Sequence, residues 1–538
     1  MRLNKNPLAE IPFNSFNGGY AGAKGASTLE ANEAQDLDNI ILVPNGTGFR
    51  NRFGNKELRV YTTTTGLSEW NVVVGLGDFK SSTNEYVIFA MLSDSDFDID
   101  FFDNILDTQT TALRTEMTGT FTQNSIITLF NFQNKVIGVG AHGTPIKITP
   151  GTSGAVLGGS PPAGMVGLVW NNVAWIGNTT SNPSKLFYSI LNDPEDWSSS
   201  GSGFVEPQPG DGDEITAIAP ISNNILLLFK NRSIYQVVGR ADPFAVFPLF
   251  QNTGCAGNHA LVATEGFVYF ITPDGRMRIT DGNRIYDDRD IPTLANADDL
   301  WNQVPKTRLP YVEGFRQQGD GFDHIVWMVS LGSSQTTNNY SITWDLKNKC
   351  WIKNSKGFNG NAVTKTTLGR YMIGGYVGGR IYELDFAAKY TDDSQGTPVF
   401  SGSGQRSAIT DAVAPRWFWS TDEISLNSLK DVVQVDRVNV LMQYQNVGTL
   451  TLSTGYDGVR ENEVRNIPIT SVGNFILGTS VLGVGILGGF KYDTKMIRPL
   501  GRGNTFNFKM SGLNEVTFKI TKYTLSGRQQ ATKTSGVR

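Results

Sequence analysis

The chain has 538 residues, 39% hydrophobic and 11% aromatic, enough to bury a large core and to divide into more than one domain. Its 59 glycines favour a turn-rich, all-β chain over a helical one, and its net charge of −4 excludes a surface that attracts nucleic acid everywhere. Two distant cysteines, Cys255 and Cys350, exclude a disulfide framework or a zinc quartet and read as buried thiols.

The opening MRLNKNPLAEIPF has no apolar run, which argues against Sec-type secretion. Residues 1–65 read as an extended arm without a core of its own. From Asn71 a three-beat pattern of short apolar strands begins. Asn71–Gly75, Tyr86–Leu92 and Phe97–Phe101 form one unit; Ile126–Phe130, Lys135–Gly140 and Pro145–Ile148 form a second. Gly167–Trp170, Val173–Gly177 and Lys185–Ser189 form a third.

The clearest units lie between Glu214 and Tyr286. Ile215–Pro220, Ile225–Lys230 and Ser233–Val238 are followed by Ala260–Thr264, Phe267–Thr272 and Arg276–Thr280. These runs are rich in Ile, Leu, Val, Phe and Tyr, and breaks such as Ser222-Asn223-Asn224 and Pro273-Asp274-Gly275 are short enough to force antiparallel neighbours. His324–Ser330, Tyr340–Trp344 and Cys350–Lys353 suggest a sixth unit, and Ala362–Thr366, Tyr371–Gly374 and Arg380–Leu384 a seventh.

Small two-faced sheets repeated in this way bury both faces only by stacking radially. The expected fold is therefore a β-propeller of roughly six to eight blades, seven favoured, over residues 66–390, with the arm packed on it or on a neighbouring subunit. A linker over 391–415, rich in Ser, Gly, Asp and Thr, leads to longer alternating strands at Val432–Tyr444, Thr449–Tyr456, Thr505–Ser511 and Glu515–Tyr523. These predict a β-sandwich over 416–525 with a glycine-rich loop at 473–490, then a basic tail over 526–538.

Little in the chain points to a reaction. Asp94, Asp96, Asp98 and Asp100 would share one face of a strand, but no Ca²⁺-loop pattern continues from them, and a solvated acidic edge is the expected reading. Asp211, Asp213 and Glu214 read as a turn entering a strand. Ser189–Trp197 only partly matches the Asp-box turn of sialidases. His142, His259 and His324 sit in unrelated contexts and read as turn or core residues, and no nucleotide-binding, nucleophile-elbow or Cys-x-x-Cys motif occurs. The expectation is a protein that is not an enzyme, with no cofactor and no metal.

Two features favour assembly instead. Leu477-Gly478, Leu482-Gly483 and Leu487-Gly488 recur every five residues, a period that fits neither helix nor regular strand. Exposed, this apolar stretch would be sticky, so it is a candidate subunit interface. Asn466–Phe490 is not read as a membrane span, because it holds six glycines and a proline. Lys491–Arg538 carries a local balance of +8, while Ser93–Asp107 carries −6. Lys519, Lys522, Arg528, Lys533 and Arg538 are candidates for touching a partner or DNA phosphates without sequence specificity.

The residues also carry a resemblance. Asn17-Gly18-Gly19, the run Leu29–Asn39 and Gly48-Phe49-Arg50-Asn51-Arg52-Phe53-Gly54 resemble the opening of the tail β-propeller proteins of short-tailed bacteriophages: nozzle, hub or packaged-DNA-stabilisation proteins. The likeness continues through Leu186–Ser189, Asp193–Trp197, Ile215–Ile218, Leu228–Tyr235, Thr253-Gly254-Cys255 and Val268–Gly275, covering roughly residues 10–390. It implies a structural virion protein of the tail, assembled in the host cytoplasm as a homo-oligomeric ring, usually of six copies. Such a ring sits below the portal and adaptor proteins, extends the DNA channel, retains the packaged genome and serves in ejection. The alternative from another class is a carbohydrate-binding or glycoside-cleaving propeller, either a receptor-binding protein or a hydrolase.

Overall fold

The structure, a computed structural model, describes residues 9–60, 72–384, 416–469, 491–497 and 503–530, apart from short interruptions within those ranges. Seven antiparallel sheets form the blades of a β-propeller. Their innermost strands are Val72–Lys80, Ile127–Phe132, Gly164–Trp170, Ile215–Ser222, Leu261–Thr264, Glu313–Gly319 and Gly360–Lys365. Each touches the next, and the last returns to the first, so the ring is closed.

Closure follows from where apolar residues lie on each blade. Both faces of every small sheet carry Val, Ile, Leu or aromatics, and each face is covered by the neighbouring blade. Val72, Val74 and Ile88 of the first blade pack with Val136 and Ile146 of the second. Val73, Leu76 and Val87, on the opposite face, pack with Ala362, Met372 and Ile381 of the seventh.

The expected three strands per blade become four. The first blade adds Thr115–Glu116, the third Gly203–Val205 and the fifth Ile285–Tyr286, outer strands too short to show a period. The sixth blade begins earlier than expected, at Glu313–Gly319, because EGFRQQG lacks an apolar run. The fourth strand of the seventh blade is Lys56–Val60, from the N-terminal arm, paired with Arg380–Glu383. The ring is thus fastened by a strand that precedes its first blade.

The rest of the arm is also strand. Gly19–Tyr20 adds to the outer strand of the sixth blade through Tyr20 and Trp351, and Glu33–Ala34 adds in parallel beyond it. Further arm strands complete a β-sandwich of two six-stranded sheets. One sheet is ordered Lys491–Ile497, Val432–Tyr444, Phe518–Gln530, Phe49–Asn51, Ile40–Leu42, with Ala9–Phe13 also on Phe518–Gln530. The other is ordered Val459–Ile469, Gly448–Tyr456, Thr505–Leu513, Arg416–Ser420, Asp36–Asp38, with Ile424–Ser425 also on Thr505–Leu513. Between them Phe16 meets Trp419 edge-on at 5.1 Å, and Phe49 stacks on the same indole at 5.4 Å. The arm expected over residues 1–65 does lie on the propeller, at the sixth and seventh blades, and its other described strands belong to the sandwich, which was not expected. Strand Phe518–Gln530 likewise carries Ser526–Gln530 of the expected tail, whereas the linker 391–415 and residues 531–538 lie outside the described residues.

Between the fifth and sixth blades the chain makes three short helical turns, Pro292–Ala297, Asp298–Trp301 and Lys306–Tyr311. They bury Leu294, Leu300, Trp301 and Leu309, and Tyr20 Oη donates to Asp299 Oδ2 at 2.5 Å, so this insertion seats the arm. Among the described residues no helix is long and apolar enough to cross a membrane.

Candidate functional site

On the propeller axis the inner strands leave a cavity of about 420 Å³. Leu129, Leu168, Ile218 and Leu261 supply apolar lining, and Arg316 and Lys365 supply cationic side chains. A polar bridge crosses it. Thr128 lies on the inner strand of the second blade, Asn258 and His259 lead into the fifth, and Glu313 opens the sixth. Thr128 Oγ1 is 2.9 Å from His259 Nε2 and accepts from Asn258 Nδ2 at 2.8 Å. His259 Nδ1 is 2.6 Å from Glu313 Oε2. Gly314 N–H donates to His259 O at 2.9 Å, and the main-chain N–H of Val363 in the seventh blade donates to Glu313.

Only 5% of the Glu313 side chain and 19% of the His259 side chain are exposed. Burial works to lower the imidazole pKa, but the adjacent Glu313 charge and hydrogen bond outweigh it and raise the value. Burial likewise raises the Glu313 carboxyl. Both shifts keep a proton on the line between Nδ1 and Oε2. His259 was expected as a turn or core residue; the structure places it against the cavity. Nothing local in the sequence joins it to Thr128 or Glu313, since the three meet only when the ring closes.

The basic candidates lie elsewhere. Lys519 and Lys522 are on Phe518–Gln530, and a bulge against Leu441 and Met442 falls between them at Thr521. On a regular strand, residues three apart point to opposite faces. The extra residue restores them to one face, while Ile520 and Tyr523 are buried in the sandwich. Lys519 is paired with Arg50 across the strands, so three basic residues share this outer region. Arg528 is on the same strand opposite Gln434; Lys533, Arg538 and the whole set Leu477, Gly478, Leu482, Gly483, Leu487 and Gly488 lie outside the described residues.

The acidic turns are structural ties. Glu195 accepts from Lys135 Nζ at 2.6 Å and also from Lys147, joining the loop after the third strand of blade three to blade two. Burial opposes ionisation of Glu195, yet the two lysines overcome it and hold the carboxyl down to about 2. Asp211 pairs with the fully buried Lys230 at 2.8 Å, and Asp213 accepts from the main-chain N–H groups of Asn231 and Arg232. Asp98 and Asp100 fall on the strand Phe97–Asp103, while Asp94 and Asp96 lie outside the described residues. Cys255 and Cys350 are buried free thiols, and burial pushes Cys255 up to about 12. Among the described residues no three His, Cys, Asp or Glu side chains gather as metal ligands would.

By its strand order and ring closure the chain is a seven-bladed β-propeller laced to a β-sandwich. No protein-family model matches it, and no curated protein matches it. Among solved structures, the WD40 β-propeller domain of Doa1 aligns with a TM-score of 0.37 and 12% identity, over 62% of this chain and 97% of that one. BamB from Moraxella catarrhalis aligns with a TM-score of 0.37 and 11% identity, over 71% of this chain and 100% of that one. YCF48 from Cyanidioschyzon merolae aligns with a TM-score of 0.36 and 10% identity, over 62% and 98%.

Proposed function

We propose that this chain is a structural subunit of a short-tailed phage tail, forming a homo-oligomeric ring below the portal and adaptor that extends the DNA channel and retains the packaged genome. One observation supports the reading most directly. The N-terminal segments that carry the resemblance are the ones that join propeller to sandwich. Gly19, with φ +59°, lies where a Cβ would come within 2.5 Å of Trp351 O and 2.7 Å of Cys350 Sγ, in the sixth blade. At Gly48, φ +152°, a Cβ would come within 2.3 Å of Ile520 O, in the sandwich. The residues of the resemblance are therefore architectural, as a rigid wall block requires.

In this reading double-stranded DNA passes between copies and not along the propeller axis, which Asn258, Thr128, His259 and Glu313 cross. Arg50, Lys519 and Lys522 form a basic outer region for an adaptor, a neighbouring copy or phosphates. Negative-stain images of the purified chain, alone and with its virion partners, test the proposal. Closed rings of regular copy number support it; a monomer at every concentration that fails to join tail particles overturns it.

A further inference from the structure

We propose that the axial cavity of the propeller is a binding site for a small organic monocarboxylate with an apolar body, whose head is held by Thr128 and Asn258. This goes beyond the tail-ring reading and does not depend on it.

A hydroxyl offers one donor and two acceptor positions, and an imidazolium offers two donors and no acceptor. His259 directs Nδ1 at Glu313 and Nε2 at Thr128 Oγ1, and Asn258 Nδ2 also donates to that oxygen. With His259 protonated, both acceptor positions of Thr128 are filled by N–H groups. Its own O–H then turns away from the bridge, and the second N–H of Asn258 remains beside it. Two donors thus face an approaching acceptor beside a positive ring.

The same three groups, hydroxyl, imidazole and carboxylate, also have the order of a nucleophile, base and orienting acid. Glu313, 2.6 Å from Nδ1, favours the charged ring, and a charged ring does not take the Thr128 proton. In that state the arrangement binds and does not activate.

Charge selects the class of ligand. Glu313 balances His259, and Arg316 is engaged in two bonds to Asp323 at 2.9 and 2.7 Å. Lys365 has only a 3.4 Å contact with Gln318 Oε1 and the face of Tyr371, 5.4 Å away. One positive charge is left over, which suits a single carboxylate better than a phosphate dianion. The apolar lining suits a hydrocarbon body, and about 420 Å³ lies within the usual size of a small-molecule site.

Titration calorimetry of the full chain with octanoate, and with 1-octanol as the uncharged control, tests this. Octanoate is expected to bind saturably and at least ten-fold more tightly than 1-octanol. Thr128→Val, nearly isosteric, and Lys365→Met, at an exposed position, should each weaken octanoate at least five-fold, and Lys365→Met should do so with the melting temperature unchanged. No saturable octanoate binding at millimolar concentration overturns the proposal. So does equal affinity for the alcohol, or an affinity that Lys365→Met leaves unaltered.

Discussion

The side-chain amide of Asn39 donates to the carbonyl oxygen of Arg416 at 2.9 Å, while its main-chain N–H donates to Lys353 O at 3.2 Å. One arm residue thereby bonds to the sandwich and to the sixth blade. It sits at φ +53°, a conformation that Asn accepts more readily than other side chains. Its Oδ1 also accepts from Arg52 Nε at 3.2 Å. Asn39→Ala removes buried hydrogen bonds and leaves a strained residue, so a loss of about 2–4 kcal/mol is expected. Asn39→Gly loses the same bonds without that strain and should cost less. Urea denaturation of both variants measures the order; an Ala variant as stable as the Gly variant would remove backbone conformation from the explanation.

The pairing of Lys56–Val60 with Arg380–Glu383 makes the arm an integral strand of the ring. A protease site inserted between residues 61 and 71 should therefore cut the chain without separating it. Both pieces are expected to co-elute in gel filtration under native conditions and to part in denaturant. Separation in native buffer would mean that the arm is not needed to hold the seventh blade.

Lys519 and Lys522 face outward on one side of a bulged strand whose other side is buried. Reversing both to Glu should leave the melting temperature nearly unchanged, because no core contact is lost. If this face touches DNA, the salt dependence of non-specific binding should fall by about two units of slope, roughly one per phosphate contact. Fluorescence anisotropy across a salt series reads it, and an unchanged slope would assign the face to a protein partner.

Glu195 contributes through a depressed carboxyl. A group whose folded pKa lies below its unfolded value stabilises above the unfolded pKa and loses that contribution as pH falls through the folded one. The window here runs from the ordinary 4.5 down to about 2. Glu195→Gln should lower stability by about 1–2 kcal/mol near pH 7, the partial exposure of the lysines limiting the effect. The gap between variant and parent should close as the pH drops through that window. A gap that is constant with pH would show that shape and not charge matters at this position.

Alternation and turn chemistry made much of the propeller legible before any coordinates. Ile225–Lys230 and Ser233–Val238 are found where their residues place them, because each is a short apolar run between turn formers. The shortest outer strands were not legible: Thr115–Glu116 and Ile285–Tyr286 are two residues long, and a pairing of that length leaves no period.

The axial bridge was legible only as isolated polar residues. Thr128, His259 and Glu313 are each unremarkable in their own stretch, and no spacing relates them.

The amino-acid order by itself determined that the chain would form small two-faced sheets that must stack, since strand length, apolar alternation and turn residues are local properties. Which strand completes the last blade, which side of the bulge Lys522 faces and which polar groups meet on the axis were decided by tertiary structure alone. Ring closure brings together residues whose separation along the chain carries no local signal, and a single added residue in a strand inverts the face of everything beyond it.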